Sequence, residues 1–129
     1  MDNHKPPAFQ FYPKDWLSEW KVQRLSYEHR GMYFQILCHM WANDPKTCRV
    51  LKAKSEIARI LGITKSRASK FLSQILMPDC CPFEEVEMYF VSKRLKAERD
   101  KQIRYHNERA KAGKIGAAKR WHKDKDNDS

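Results

Sequence analysis

Glycine is scarce in this chain, with four in 129 residues: Gly31, Gly62, Gly113 and Gly116. A phosphate-cradling loop of the Walker or dinucleotide type needs several glycines at fixed spacing after a strand, so enzymes built on such loops are excluded. The stretch GKIG at 113–116 is too short and follows no strand. No apolar run reaches the ~18 residues that a membrane span requires. The opening MDNHKPPAFQ lacks the apolar core of a secretory signal. The five histidines form no H-x-x-x-H pair, and no nucleophile sits in a catalytic motif. Cys38, Cys48, Cys80 and Cys81 match no zinc spacing, and without an export signal they are expected as free thiols in a reducing cytoplasm. The sequence therefore predicts a cytoplasmic protein with no enzyme activity, no cofactor and no metal.

Acidic residues are outnumbered, 16 against 26 Lys and Arg, for a formal net charge of +10. Such an excess suits a polyanionic partner, most simply nucleic acid. Hydrophobic residues make up 41% and aromatics 12%, too many for a disordered chain. They thin out near residue 91, where charge takes over. The expected division is a folded domain over residues 8–95, a basic, solvated helical extension over 96–112, and a flexible basic tail over 113–129.

Local patterns predict the elements. AFQFYP alternates apolar and polar positions and stops at Pro13, which suits a short strand with Phe9 and Phe11 on one face. Trp16 and Trp20, four apart, are expected on one helical turn, packing this aromatic arm onto the core. Ser26 is a good N-cap, and Glu28 lies in the first turn, where the helix dipole favours a carboxylate. Tyr33, Ile36, Leu37, Met40 and Trp41 then trace a wide apolar stripe, ended by Asn43, Asp44 and Pro45. A short strand is expected around Arg49–Leu51, followed by a helix capped by Ser55 and stopped at Gly62. Thr64 caps a third helix running to about Leu76. Two short helices joined by a tight glycine-containing turn are the helix-turn-helix signature. Pro82–Glu84 pairing with a strand around Met88 and Phe90 would complete a hairpin, although its turn lacks Gly, Asn or Asp. The predicted fold is mainly α with a small β-hairpin, a winged helix-turn-helix with an N-terminal aromatic arm and a basic C-terminal helix.

The third helix carries the candidate site. Ala68, Phe71, Leu72 and Ile75 fall on one side and are expected in the core. Ser66, Ser69, Lys70 and Ser73 fall on the other, with Arg67 and Gln74 flanking and Lys65 at the helix start. Hydroxyls and amines reach phosphates, and Arg or Gln can address base edges in a major groove. The hairpin's Glu84, Glu85 and Glu87 would repel a duplex. Sequence-independent affinity is therefore assigned to the basic extension, where Lys93, Arg94, Lys96, Arg99, Lys101, Arg104, Arg109 and Lys111 face only Glu98, Asp100 and Glu108. Lys93, Arg94, Lys101 and Arg104 are its named contact candidates. Trp121 beside Arg120 is a weaker candidate for base stacking.

The run from Phe11 to Trp41 resembles the start of a YdaU-like domain found in phage and prophage proteins. The shared features are Phe11, Tyr12, Pro13, Asp15 and Trp16, then Leu25 and Ser26, Gly31 and Tyr33, and the closing Trp41; ERAKAGKIGAAKRW resembles the basic segment that often follows. The resemblance implies a winged-helix domain associated with phage DNA replication, similar to the N-terminal parts of replication initiators and helicase loaders. It carries no contact residues over. The expectation is a DNA-binding protein acting in replication initiation or helicase loading, on duplex or single strands, with replisome proteins and a second copy of itself as further partners and no membrane. A prophage transcriptional regulator, and an assembly module without DNA affinity, are the alternatives.

Overall fold

The computed structural model describes residues 8–44 and 46–127, with side chains as far as Gly116. Six helices and three short strands run in the order α1 (Pro13–Ser18), α2 (Trp20–Gln23), α3 (Tyr27–Asn43), β1 (Arg49–Leu51), α4 (Lys54–Leu61), α5 (Lys65–Ile75), β2 (Glu84–Val86), β3 (Tyr89–Val91) and α6 (Lys93–Asn127). The strands form one antiparallel sheet in the order β1-β3-β2, with Val50 opposite Phe90 and Phe90 opposite Glu85. Helix, strand, helix-turn-helix and hairpin in this order make a winged helix-turn-helix, mainly α with a small hairpin.

The central helix follows its sequence pattern. The Ser26 hydroxyl accepts a hydrogen bond from the His29 backbone N–H, and Tyr33, Ile36, Leu37, Met40 and Trp41 are all buried, joined by Met32. Pro45, expected to help end this helix, lies outside the described residues. From α5 the same core receives Ala68, Phe71, Leu72 and Ile75, and from the hairpin Phe83 and Phe90. The turn between α4 and α5 is a Schellman motif. The Ile63 N–H donates to the Ala58 carbonyl (3.1 Å) and the Gly62 N–H to the Arg59 carbonyl (3.3 Å). This reversal requires a left-handed residue, and Gly62 has φ +65°.

Three local expectations are corrected. Residues 8–12 form no strand; Pro13 opens α1 as a first-turn proline, where its missing N–H costs nothing. Phe9 and Phe11 nevertheless share a neighbour, Phe34, at ring distances of 6.3 and 6.1 Å. Trp16 and Trp20 do not share a helical turn, because Glu19 is extended (ψ 97°) and splits α1 from α2. Trp16 packs on Tyr33 and Phe34, whereas Trp20 stays 56% exposed. Helix α4 starts two residues earlier than expected: Ala53 occupies the cap position and Ser55 is exposed within the first turn.

The hairpin also shifts. Its strands begin at Glu84 and Tyr89, leaving Glu87 and Met88 as the two-residue loop. Glu87 takes φ +55°, the left-handed geometry that tight hairpins demand at the first loop position and that glycine normally supplies. Finally, α6 is continuous from Lys93 to Asn127, across residue 95 and through Gly113 and Gly116. Thirty-five helical residues span about 52 Å. Leu95 and Glu98 bury its first turns, and the Gln102 amide donates to the Ala8 carbonyl (2.9 Å), so packing against the body reaches two turns past residue 95.

Candidate nucleic-acid interface

Helix α5 separates its two faces cleanly. Thr64 caps it by accepting from the Arg67 backbone N–H at 3.2 Å, which sets the helix phase. With Ala68, Phe71, Leu72 and Ile75 inward, Lys65, Ser66, Arg67, Lys70, Ser73 and Gln74 are exposed. Ser69 is half-buried, and its carbonyl accepts the Ser73 hydroxyl at 2.9 Å, so that hydroxyl's proton is already in use. The outward face thus offers three cations, Lys65, Arg67 and Lys70, on two helical turns.

One of these cations is held by an acid. Arg67 Nη2 donates to the Glu28 carboxylate, joining the N-terminal turns of α5 and α3. The Arg67 hydrogen bond, then its charge, hold the Glu28 carboxyl below the ordinary carboxylate range, and His29 and Lys70 add to the pull. Glu28 therefore sits beside both Arg67 and Lys70, at the edge of the face that would meet phosphate. A duplex would have to displace this carboxylate or tolerate it. Both side chains are more than half exposed, so water and salt already weaken the pair.

The far end of α5 is fixed by a residue whose role no local pattern announces. Arg24 Nη2 donates to the carbonyls of Gln74 (2.7 Å) and Cys80 (3.0 Å). A guanidinium there satisfies last-turn carbonyls and opposes the negative end of the helix dipole. Gln74 thus contributes its backbone to the fold while its side chain remains outward.

The remaining candidates lie elsewhere. Lys93 faces Glu84 of the hairpin at 3.8 Å, and Lys52 faces Glu85 at 3.3 Å, so two of the three hairpin carboxylates are matched by lysines. Glu87 stands exposed at the tip. Lys101 and Arg104 are exposed on α6 beside Tyr105, and the Arg109 guanidinium lies 5.7 Å from the Tyr105 ring centre. Arg120 and Trp121 lie outside the described side chains. Helix α5 is tied to the start of α3 through Glu28, whereas α6 and the arm are tied to its end, where Phe9 meets Trp41. Glu28 and Trp41 are thirteen residues apart on one helix, about 20 Å. The fold therefore brings Lys65–Gln74 together on α5 and sets Lys101 and Arg104 apart from them, whereas Lys93 and Arg94 lie nearer the middle of α3, beside Glu84 and Tyr33.

Among the described residues no three His, Cys, Asp or Glu side chains come together as a metal set, and none of the four cysteines is in a disulfide. Burial pushes the thiols of Cys38, Cys48 and Cys81 up, away from the reactive thiolate form. No described helix is long and apolar enough to cross a membrane.

The class of protein that fold and site define is a small winged helix-turn-helix protein with a basic outward face on its second motif helix. No protein-family model, curated protein or solved structure matches the chain.

Proposed function

We propose that this chain is a non-enzymatic DNA-binding protein that lays α5 against a duplex and uses α6 for phosphate contacts. The observation that carries the reading is the division of α5: four apolar side chains are locked in the core, while Lys65, Ser66, Arg67 and Lys70 stand outward at its N-terminal end. That is the end a recognition helix presents to base edges. The net charge of +10 supports a polyanionic partner, and nine basic side chains against three acidic between Lys93 and Gly116 support phosphate tracking along α6. A role in phage or prophage replication initiation rests on the resemblance to YdaU-like domains alone.

The test is anisotropy of labelled duplex with the full chain across a salt series, repeated for Arg67→Ala/Lys70→Ala. The parent should bind with log affinity falling linearly against log salt. The double variant should lower that slope by up to about 1.8, two phosphates' worth, if both groups contact phosphate. A loss of about 1–3 kcal/mol with relaxed sequence preference would instead mark a base contact. Equal binding by parent and double variant removes α5 from the interface, and no binding of the parent at low salt leaves an assembly module as the better reading.

A further inference from the structure

Away from α5, the N-terminal arm, α2, α3, the hairpin and the start of α6 enclose a cavity of about 520 Å³. That volume falls within the ~300–1,000 Å³ typical of sites for small organic groups. Its wall is aromatic: Phe11 meets Trp16 (5.7 Å), Trp16 meets Tyr33 (6.1 Å) and Tyr33 meets Phe83 (4.9 Å), an unbroken line from surface to core. Trp20 also lines it, 56% exposed, and its indole faces no other ring among the described residues. A large exposed aromatic at the mouth of a formed cavity is a surface that a planar group can cover.

The charges around this cavity are unevenly satisfied. Three carboxylates line it, and each has a protein partner. Glu19 accepts from the Lys21 backbone N–H (3.3 Å), Glu84 faces Lys93 (3.8 Å), and Glu98 accepts from the Gln102 amide (2.9 Å). Arg94 and the Lys21 ammonium line the same space, and among the described residues neither makes a side-chain hydrogen bond or ion pair. Arg94 lies close enough to Tyr33 for its charge to oppose the upward push of burial on that hydroxyl. The cavity thus offers an aromatic face together with a guanidinium and an ammonium that lack acids.

We propose that this cavity takes one unstacked nucleobase with its phosphate, the base lying against Trp20 and the phosphate on Arg94 and Lys21. The partner class rests on the nucleic-acid reading above, but none of the residues is shared with α5. A nucleobase matches because every base has a flat face and a linked anion, the pairing that single-strand sites meet with aromatic rings and basic side chains. In a paired duplex the bases are stacked and out of reach, so the cavity selects single strands or free nucleotides while α5 faces duplex.

The experiment measures binding of a labelled oligothymidylate about 15 nucleotides long, near the upper site size of single-strand modules, and of a duplex, to the full chain and its variants. Trp20→Ala should weaken single-strand binding about 5- to 150-fold, the range expected for losing one stacked base. Trp20→Phe should restore most of it. Arg94→Ala should lower the single-strand salt slope by about 0.7, one phosphate's worth. Both Trp20 variants should leave duplex affinity at the parental value, and Trp20 and Arg94 are exposed, so circular dichroism and melting of all three variants should stay parental. In the parent, photo-crosslinking of an iodouridine-bearing strand should label the peptide containing Trp20. Thymidine monophosphate competing as well as the oligonucleotide identifies free nucleotide as the natural occupant, and competition by the strand alone identifies a strand.

The proposal is overturned if Trp20→Ala and Arg94→Ala bind oligothymidylate like the parent, if Trp20→Ala loses duplex binding equally, or if the crosslink maps elsewhere. It is also overturned if Trp20→Ala abolishes a concentration-dependent dimer without touching single-strand binding, which would make the surface a contact between copies. Arg67→Ala/Lys70→Ala serves as the separate control: duplex binding that survives it refutes the α5 assignment and leaves the cavity result standing.

Discussion

Two glycines with equally open surroundings should respond to the same substitution with opposite signs. A Cβ added at Gly31 or at Gly62 would meet no atom within 4 Å. Packing therefore drops out, and only backbone conformation remains. Gly31 lies inside α3 on its exposed side, where alanine is favoured over glycine by about 0.8–1.0 kcal/mol. Gly62 closes the Schellman turn at φ +65°, where an L-residue pays roughly 1–2 kcal/mol. Alanine returns roughly 0.4–1 kcal/mol by restricting the unfolded chain. Gly31→Ala should thus stabilise by about 1 kcal/mol and Gly62→Ala destabilise by about 1 kcal/mol. Urea unfolding followed by circular dichroism reads both, and in thermal melts the two variants should separate by roughly 8–16 °C for a domain of this size. Effects of the same sign, or a Gly62→Ala protein as stable as the parent, would refute the assignment of the α4–α5 turn to a left-handed glycine.

Further outcomes follow from other contacts. Arg24→Met keeps the apolar stem but removes the charged donor to the Gln74 and Cys80 carbonyls, and should cost about 1.5–3 kcal/mol in urea unfolding. Burial pushes the Tyr33 hydroxyl from its ordinary value near 10 up to about 12. Its contribution is therefore fully present below about pH 10 and lost as pH rises through about 12, roughly 2–3 kcal/mol in all; Tyr33→Phe should abolish that alkaline loss in melts between those pH values. Glu28→Gln removes the carboxylate that holds Arg67 and lies near Lys70. In the anisotropy assay it should raise duplex affinity and steepen the salt slope by about 0.9, one further phosphate contact; unchanged binding would place Arg67 outside the interface.

What the sequence determined by itself was whatever repeats within a turn or two of helix. The stripe from Tyr33 to Trp41, the caps at Ser26 and Thr64, the stop at Gly62 and the buried face Ala68–Ile75 all rest on neighbours three or four residues apart. Helix geometry converts that spacing directly into a face. Local pattern misled where a single backbone angle intervened, as at Glu19, whose extended ψ packs Trp16 against the core and leaves Trp20 outside. It misled again along α6, where two glycines each cost only about 1 kcal/mol in helix propensity and the flanking Ala, Lys and Arg offset it. Only the tertiary structure decided which charges meet. Glu28 and Arg67 are 39 residues apart, Arg24 and Gln74 are 50 apart, and Ala8 and Gln102 are 94 apart. Such pairings depend on how α2, α3, α5 and α6 pack, and short-range periodicity holds no record of that. The candidate helix was legible from its own residues, whereas the acid beside it, the arginine that ends it and the aromatic cavity behind the hairpin came from chain folding alone.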